Sequence, residues 1–156
     1  MTMLKKLEGL LDQNQIKYQS LTHSLAYTAQ EIAALQHVPG KQMAKVVMVK
    51  KNGVPVMTVL PAPFRIDFSL LEKALGEKVE METEREFADL FPGCEVGAEP
   101  PFGNLFNVEE MVDSTLAENE DIVFNAGNHR ETVRMKYKDF ERLVHPKVGA
   151  FAKPTH

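Results

Sequence analysis

Cysteine is almost missing from this chain, since Cys94 is the only one among 156 residues. One thiol cannot form an internal disulfide, so the sequence excludes a small disulfide-stapled scaffold and is typical of a protein of the reducing cytoplasm. Cys94 is also a poor candidate nucleophile, because a carboxylate beside it, here Glu95, raises the pKa of a thiol. We therefore interpret Cys94 as a small buried apolar side chain.

Long apolar runs and an excess of positive charge are missing too. No apolar run reaches the roughly 18 residues of a membrane-spanning helix, so we expect no membrane partner. The formal net charge is −4 at pH 7. The sequence also contains no basic helix and no helix-turn-helix pattern, so we expect no DNA partner, and any contact with a polyanion has to be local.

The common motifs of cofactor and nucleophile chemistry are also missing. The chain has no Gly-x-Gly-x-x-Gly fingerprint, no P-loop and no Gly-x-Ser-x-Gly elbow. Its five histidines are not spaced as metal ligands, and Cys94 adds only one more donor. We therefore predict that the protein needs neither a metal nor a cofactor.

Local patterns predict alternating α and β elements. Leucines at helical spacing predict a first helix within residues 1–15. Thr28 with Glu31, and Thr83 with Glu86, have the spacing of capping boxes that begin two further helices.

Short strands complete the predicted fold. Asn52-Gly53 between two β-rich runs predicts a hairpin. Because hairpins and helices both join the strands, we predict an α/β (α+β) fold with a curved, mixed, barrel-like sheet surrounded by helices. Residues 1–156 form one domain on grounds of length, and residues 145–156 are predicted to be a surface tail.

The stretch from Gly97 to Asn104 is the most informative, because it holds two glycines and two adjacent prolines. Glycine permits close backbone approach and proline stiffens the chain, which suits a preformed site wall whose backbone amides face a ligand. A tight turn with a rigid exit explains the same residues. We expect Glu99, inside this loop, to point to solvent.

Lys45 is the second candidate, because it opens the β-rich run 46–49. A lysine at the mouth of a buried strand can hold a phosphate or a carbonyl oxygen, although strand-end lysines more often reach into water. Three nearby lysines are expected to add a basic rim: Lys41, Lys50 and Lys51. Asn125 and Gly127 can contact a ligand or simply form a turn.

An ordered set of short motifs resembles one family. The set contains His23, Thr28, Ala44-Lys45, Val59 to Ala62, Arg65 to Asp67, Gly97 to Pro101, Asp113 to Leu116, and Phe124 to Gly127. In this order they resemble the YbaK/ProX family of aminoacyl-tRNA editing domains, which is related to the insertion domain of bacterial prolyl-tRNA synthetases. The resemblance spans residues 21–143.

The resemblance implies hydrolysis of the ester that joins a wrong amino acid to the terminal adenosine of tRNA. It carries the family's lysine over to Lys45 and its Gly-x-x-x-Pro loop over to Gly97 and Pro101, and we assign catalysis to Lys45 and Gly97. We assign substrate binding to Thr28, Pro100, Pro101, Phe102, Asn125, Gly127, Lys41, Lys50 and Lys51. The Pro-Pro-Phe and Phe-Asn-Ala-Gly sequences resemble alanine-, serine- or threonine-type editors more than the cysteine type.

The expected partner is the acceptor end of a mischarged tRNA, because an acidic protein offers few phosphate contacts. A synthetase or an elongation factor is a possible means of delivery. The alternative function is a non-catalytic module that binds tRNA, a synthetase or a small ligand with the same cleft.

Overall fold

The computed structural model describes residues 3–155, so Met1, Thr2 and His156, which the predicted domain, first helix and tail include, lie outside the described residues. Within residues 3–155 the helices are α1 Lys5–Gln13, α2 Ala29–Leu35, α3 Phe68–Leu75, α4 Glu84–Phe87, α5 Ser114–Ala117 and α6 Tyr137–Val144. The strands are β1 Tyr18–Thr22, β2 Ala44–Lys51, β3 Val54–Pro61, β4 Phe64–Ile66, β5 Val79–Met81, β6 Glu109–Asp113, β7 Asp121–Asn125, β8 Glu131–Lys136, β9 Lys147–Gly149 and β10 Ala152–Pro154.

The strands form three sheets. The largest has the order β5-β2-β3-β6-β9, and it is mixed because β6 pairs in parallel with both β3 and β9. An antiparallel sheet has the order β1-β8-β7, and β10 pairs with β4 in a two-stranded sheet. The predicted mixed α/β architecture is confirmed, but the strands of residues 3–155 do not close into a barrel.

One parallel bridge, between Met43 and Val123, joins the start of β2 to β7. On one face of the joined sheets lies the largest apolar cluster, with the rings of Phe102, Phe124 and Phe140 at its centre. On the other face α2 and α3 cover two smaller clusters. The bridge therefore joins the two sheets, so the face that α2 and α3 cover is continuous across them. We call it the outer face.

The local signals for turns and helix ends are confirmed. Asn52 and Gly53 both have positive φ, 53° and 76°, as the tight hairpin between β2 and β3 requires. Thr28 and Thr83 form the capping boxes of α2 and α4. None of the helices found in residues 3–155 is long and apolar enough to cross a lipid bilayer.

The predicted surface tail is half wrong: most of its residues are exposed, but residues 147–149 and 152–154 form the strands β9 and β10. The buried carboxylate of Asp113 explains the order. Its Oδ1 accepts hydrogen bonds from the backbone amides of Phe151, at 2.9 Å, and Ala152, at 2.8 Å. The side chain of Phe151, between β9 and β10, is fully buried in the apolar cluster that α3 covers. The hydrogen bonds to Asp113 and this burial therefore hold the segment in place.

A second buried carboxylate, Glu110 on β6, lies in the core. One carboxylate oxygen accepts a hydrogen bond from the backbone amide of Gly103 at 2.7 Å, and the other has no partner within residues 3–155. Burial raises the pKa of Glu110 from 4.5 to about 8, against a smaller opposing effect of the Gly103 hydrogen bond. The folded protein therefore holds a proton here that the unfolded chain releases at lower pH.

Glu110→Gln is predicted to change how stability depends on pH. Between pH 4.5 and about 8 only the unfolded state ionises at Glu110, so stability falls as pH rises. The slope is at most about 1.4 kcal/mol per pH unit, and it levels off above that window. The glutamine variant lacks this slope, so its unfolding free energy gains on the wild type as pH rises. Urea unfolding at a series of pH values measures the difference, and the exposed Glu118→Gln is the control. Parallel curves for wild type and Glu110→Gln would contradict the burial argument.

Candidate functional site

Lys45 lies near the start of β2, and its side chain is half-buried on the outer face. The ammonium donates a hydrogen bond to the carbonyl oxygen of Ala62 at 3.0 Å. Burial lowers the pKa of Lys45, and no carboxylate in the described part of the chain offsets that effect. The site therefore holds a partly desolvated cation that lacks a counter-charge.

A cavity of about 240 Å³ opens beside Lys45. Its lining consists of two cations, Lys45 and Arg65, and of the apolar residues Val47, Leu60, Ile66, Phe68 and Met81. Because none of these side chains is acidic, the cavity is suited to a ligand that is negatively charged at one point and apolar elsewhere.

The expected basic rim does not form around Lys45. Lys50 pairs with Glu86 at 2.5 Å, and Lys51 pairs with Glu109 at 3.5 Å. Both lie toward the other end of β2, roughly 17–20 Å from Lys45 at about 3.3 Å per strand residue. Lys41 is exposed in the short helical turn before β2. The placement of Lys50 and Lys51 at the cleft is therefore corrected: acidic neighbours from distant parts of the sequence neutralise both.

Asn125 and Lys45 do share one face. The parallel bridge pairs Met43 with Val123, and two residues further along each strand the side chains of Lys45 and Asn125 point to the same side. Asn125 is 9 % exposed, and its Oδ1 has no hydrogen-bond partner within residues 3–155.

Thr132 extends this polar row away from Lys45. It pairs with Asn125 across β7 and β8, so the two side chains lie next to each other. Its hydroxyl donates to Oε1 of Gln36 at 2.7 Å. The amide nitrogen of Gln36 is buried and lacks a partner among the described residues. No sequence motif marks Gln36 or Thr132, because only the folded arrangement of distant segments brings them together.

The loop after Cys94 is fixed against the turn between β7 and β8. The backbone amide of Gly127 donates to Ala98 O at 3.0 Å, and the amide of Glu95 donates to Gly127 O at 2.8 Å. The carboxylate of Glu95 accepts from the amide of His129 at 2.7 Å. Gly127 thus uses both of its backbone polar groups within the fold, which favours the turn interpretation over substrate binding.

Glu99 is buried, with 5 % exposure, so the expectation that it points to solvent is wrong. Its Oε2 accepts a hydrogen bond from the backbone amide of Gly97 at 3.0 Å. Burial raises the pKa of Glu99, while the backbone hydrogen bonds oppose that rise. The predicted backbone donor, Gly97, is therefore engaged by Glu99, and a ligand oxygen has to compete for it.

Three predicted contact residues are buried instead. Phe102 is fully buried, with its ring centroid 5.4 Å from those of Phe124 and Phe140, so it belongs to the core and is corrected. Pro100 and Pro101 are buried as well and stiffen the loop.

Thr28 is exposed, and its hydroxyl oxygen is already used in the capping box. It accepts from the backbone amide of Glu31 at 3.1 Å and donates to a carboxylate oxygen of the same residue at 2.9 Å. Thr28 therefore positions α2 in this structure.

His129 is the residue that sequence reasoning missed at this site. Its ring is 7 % exposed and lies 4.7 Å from the ring of Tyr27. Nε2 lies 2.9 Å from the carbonyl oxygen of Val96. Because that oxygen can only accept, Nε2 carries the proton, and in the neutral ring Nδ1 is then a hydrogen-bond acceptor. Nδ1 has no partner within residues 3–155. A single histidine in a turn gave no signal for this arrangement.

Comparison with known proteins shows which family this chain is similar to. A family model described as an aminoacyl-tRNA editing domain matches residues 23–143. A protein described as the multifunctional Ser/Thr-tRNA deacylase ProXp-y is 28 % identical over 154 residues, which is 96 % of this chain and 92 % of the relative. It comes from Escherichia coli K12, and a match with the same values comes from strain O157:H7.

Solved structures show the same fold. Hypothetical protein APE2540 superposes with a TM-score of 0.85 at 20 % identity, over 95 % of this chain and 99 % of that one. A candidate trans-editing enzyme for prolyl-tRNA synthetase superposes with a TM-score of 0.81 at 20 % identity, over 96 % of each chain.

Alanine substitutions at two glycines are predicted to separate the cost of backbone strain from the cost of a steric clash of the new Cβ. Gly97 and Gly127 have φ of 89° and 104°, so alanine costs about 1–2 kcal/mol of backbone strain at either position. The new Cβ meets His129 Cε1 at 3.5 Å in Gly97→Ala, an ordinary contact, but meets Leu4 Cβ at 3.1 Å in Gly127→Ala. We expect Gly127→Ala to lose more unfolding free energy in urea. Equal losses would mean that strain alone decides.

Proposed function

This chain belongs to the aminoacyl-tRNA editing domain family, and we propose that it removes serine and threonine from wrongly charged tRNAs. The family match and the deacylase relative make it an enzyme that hydrolyses the ester of mischarged aminoacyl-tRNA. The choice of serine and threonine is supported by the name of the 28 % identical relative and by the polar row around Asn125.

The unpaired ammonium of Lys45 is the observation that carries the proposed mechanism. When water attacks the ester carbonyl, negative charge develops on its oxygen, and the ribose oxygen leaves with a proton. A fixed cation in a partly desolvated site stabilises that charge strongly because it needs no reorganisation during the reaction. The ester is already activated, so no protein nucleophile is required, and a hydroxyl of the substrate can orient the water.

Two unpartnered buried atoms support an amino acid that carries a hydroxyl. Among residues 3–155, Asn125 Oδ1 is an acceptor without a donor, and Gln36 Nε2 is a donor without an acceptor. They lie on either side of Thr132. A serine or threonine hydroxyl can donate to the first and accept from the second, whereas alanine leaves both unpaired, which a polar site penalises heavily.

The acceptor end is the proposed region of contact on tRNA. The protein carries a net charge of −4, and Lys50 and Lys51 are already paired with glutamates. Few phosphates can therefore be neutralised, and free tRNA should bind weakly. This supports delivery by a synthetase or an elongation factor in the cytoplasm.

A deacylation panel tests the proposal directly. Seryl-, threonyl-, alanyl- and cysteinyl-tRNA are prepared on matched tRNA bodies, and release of the amino acid is followed against the uncatalysed rate. We expect release of serine and threonine and much slower release of alanine and cysteine. Release of alanine alone would contradict the hydroxyl argument, and no release from any substrate would favour the binding module.

Lys45→Ala is predicted to lower kcat/KM for deacylation by about 10²-fold or more, which is the scale for losing one electrostatic contact in the transition state. The unfolding free energy should stay close to that of the wild type, because the half-buried ammonium makes a single hydrogen bond. Lys45→Arg should also lose activity, since a planar guanidinium does not replace a point charge. Lys51→Ala, toward the other end of β2, is the control and should keep its activity. A folded Lys45→Ala with near-normal turnover would remove Lys45 from the mechanism.

A further inference from the structure

Arg65 is a second cation in the cavity beside Lys45, and the proposed hydrolysis does not use it. It is exposed on β4, and its guanidinium makes no ion pair or hydrogen bond within residues 3–155. Its cross-strand neighbour Lys153 differs, because that ammonium lies 3.0 Å from Asp67. Arg65 is therefore available to a ligand anion without first breaking a bond within the protein.

The same cavity has an apolar wall that the protein leaves open. Met81 at the end of β5 is 53 % exposed, and Phe68 at the start of α3 is only partly covered. Both line the cavity with Arg65. A planar, uncharged ring can lie against these side chains while an attached anion reaches the guanidinium.

We propose that this cavity holds the nucleotide that precedes the terminal adenosine of the tRNA acceptor end, an inference that rests on the proposed function. The phosphodiester between the two nucleotides lies against Arg65, and the base lies against Phe68 and Met81. Arginine binds phosphate with two parallel hydrogen bonds, and apolar side chains bind unpaired bases with little sequence preference. Lys45, which lines the same cavity, then remains available for the ester carbonyl.

The size of the cavity favours a single nucleotide. Its volume, about 240 Å³, is below the roughly 300–1,000 Å³ of pockets that enclose drug-sized ligands. A duplex does not enter such a cavity, whereas one unpaired base does. The two cations on this face are enough for one or two phosphates, which agrees with the small RNA contact that the acidic surface permits.

Arg65→Ala, compared on two substrates, tests the assignment. With seryl-tRNA we expect KM to rise about tenfold with kcat within about twofold, because a substrate contact away from the ester is lost. With seryl-adenosine, which has neither the phosphodiester nor the preceding base, wild type and variant should be equal. The salt slope of tRNA binding should fall by about 0.7, the value for one single-strand phosphate. A merely structural role of Arg65 would not produce this split.

Matched variants complete the design. Arg142→Ala removes an exposed arginine on α6, outside the cavity, and should leave both substrates unchanged. Met81→Ala should raise KM for seryl-tRNA but not for seryl-adenosine. Equal losses on both substrates for Arg65→Ala, or no loss on either, would overturn the inference.

A binding measurement separates this inference from the proposed function. The probe is a 5′-phosphorylated CCA trinucleotide, titrated into wild type and Arg65→Ala without any hydrolysis. Arg65-dependent binding of the probe, even by a protein that deacylates no tRNA, would support the nucleotide cavity and reject the function. If wild type and Arg65→Ala both deacylate tRNA and bind the probe equally, the proposed function is supported and the nucleotide cavity is rejected. If AMP alone competes as well as the trinucleotide, the cavity binds a free nucleotide and the acceptor-end assignment is overturned.

Discussion

The parallel bridge between Met43 and Val123 is the contact on which the site depends. It is one pair of residues between two sheets that otherwise have separate hydrogen-bonding partners. Because side chains alternate along a strand, this pair fixes the face on which Lys45 and Asn125 both emerge two residues later. A slip by one residue in either strand would send one of them into the aromatic cluster on the opposite face, where an ammonium or amide would lie among apolar rings.

The second constraint is the anchoring of the loop around Gly97. Hydrogen bonds from the backbone amides of Glu95, Gly127 and His129 hold it to the turn after β7, so the loop has a fixed position relative to Asn125. Glu99 turns inward and occupies the amide of Gly97 with its own carboxylate. Two prolines behind it limit the alternatives open to the backbone. The conformation of the loop is therefore supported by hydrogen bonds as well as by its composition, and the amide of Gly97 donates to a carboxylate of the protein itself.

Sequence predicted what is decided locally. The capping boxes at Thr28 and Thr83 and the hairpin at Asn52-Gly53 depend on neighbours within three or four residues, and all three are confirmed. The errors arise where distant residues decide. Glu109 on β6, two strands away in the sheet, pairs with Lys51 of β2. The amides of Phe151 and Ala152 reach back to Asp113, which orders a segment that looked like a tail. The resemblance named Lys45 and Gly97 and included Arg65 in its motif set without giving it a role, but no local pattern marked Gln36 or His129.

The distribution of paired and unpaired cations bears on how this acidic protein meets its RNA substrate. An acidic protein that acts on a polyanion gains no attraction from its net charge, so the cations next to the reacting ester matter most for binding the substrate there. Lys50, Lys51 and Lys153 are paired with carboxylates, whereas Lys45 and Arg65, which line one cavity, make no ion pair within residues 3–155. In the proposed complex, an acceptor end seated in this cavity would meet both cations, one at the ester and one at the adjoining phosphodiester.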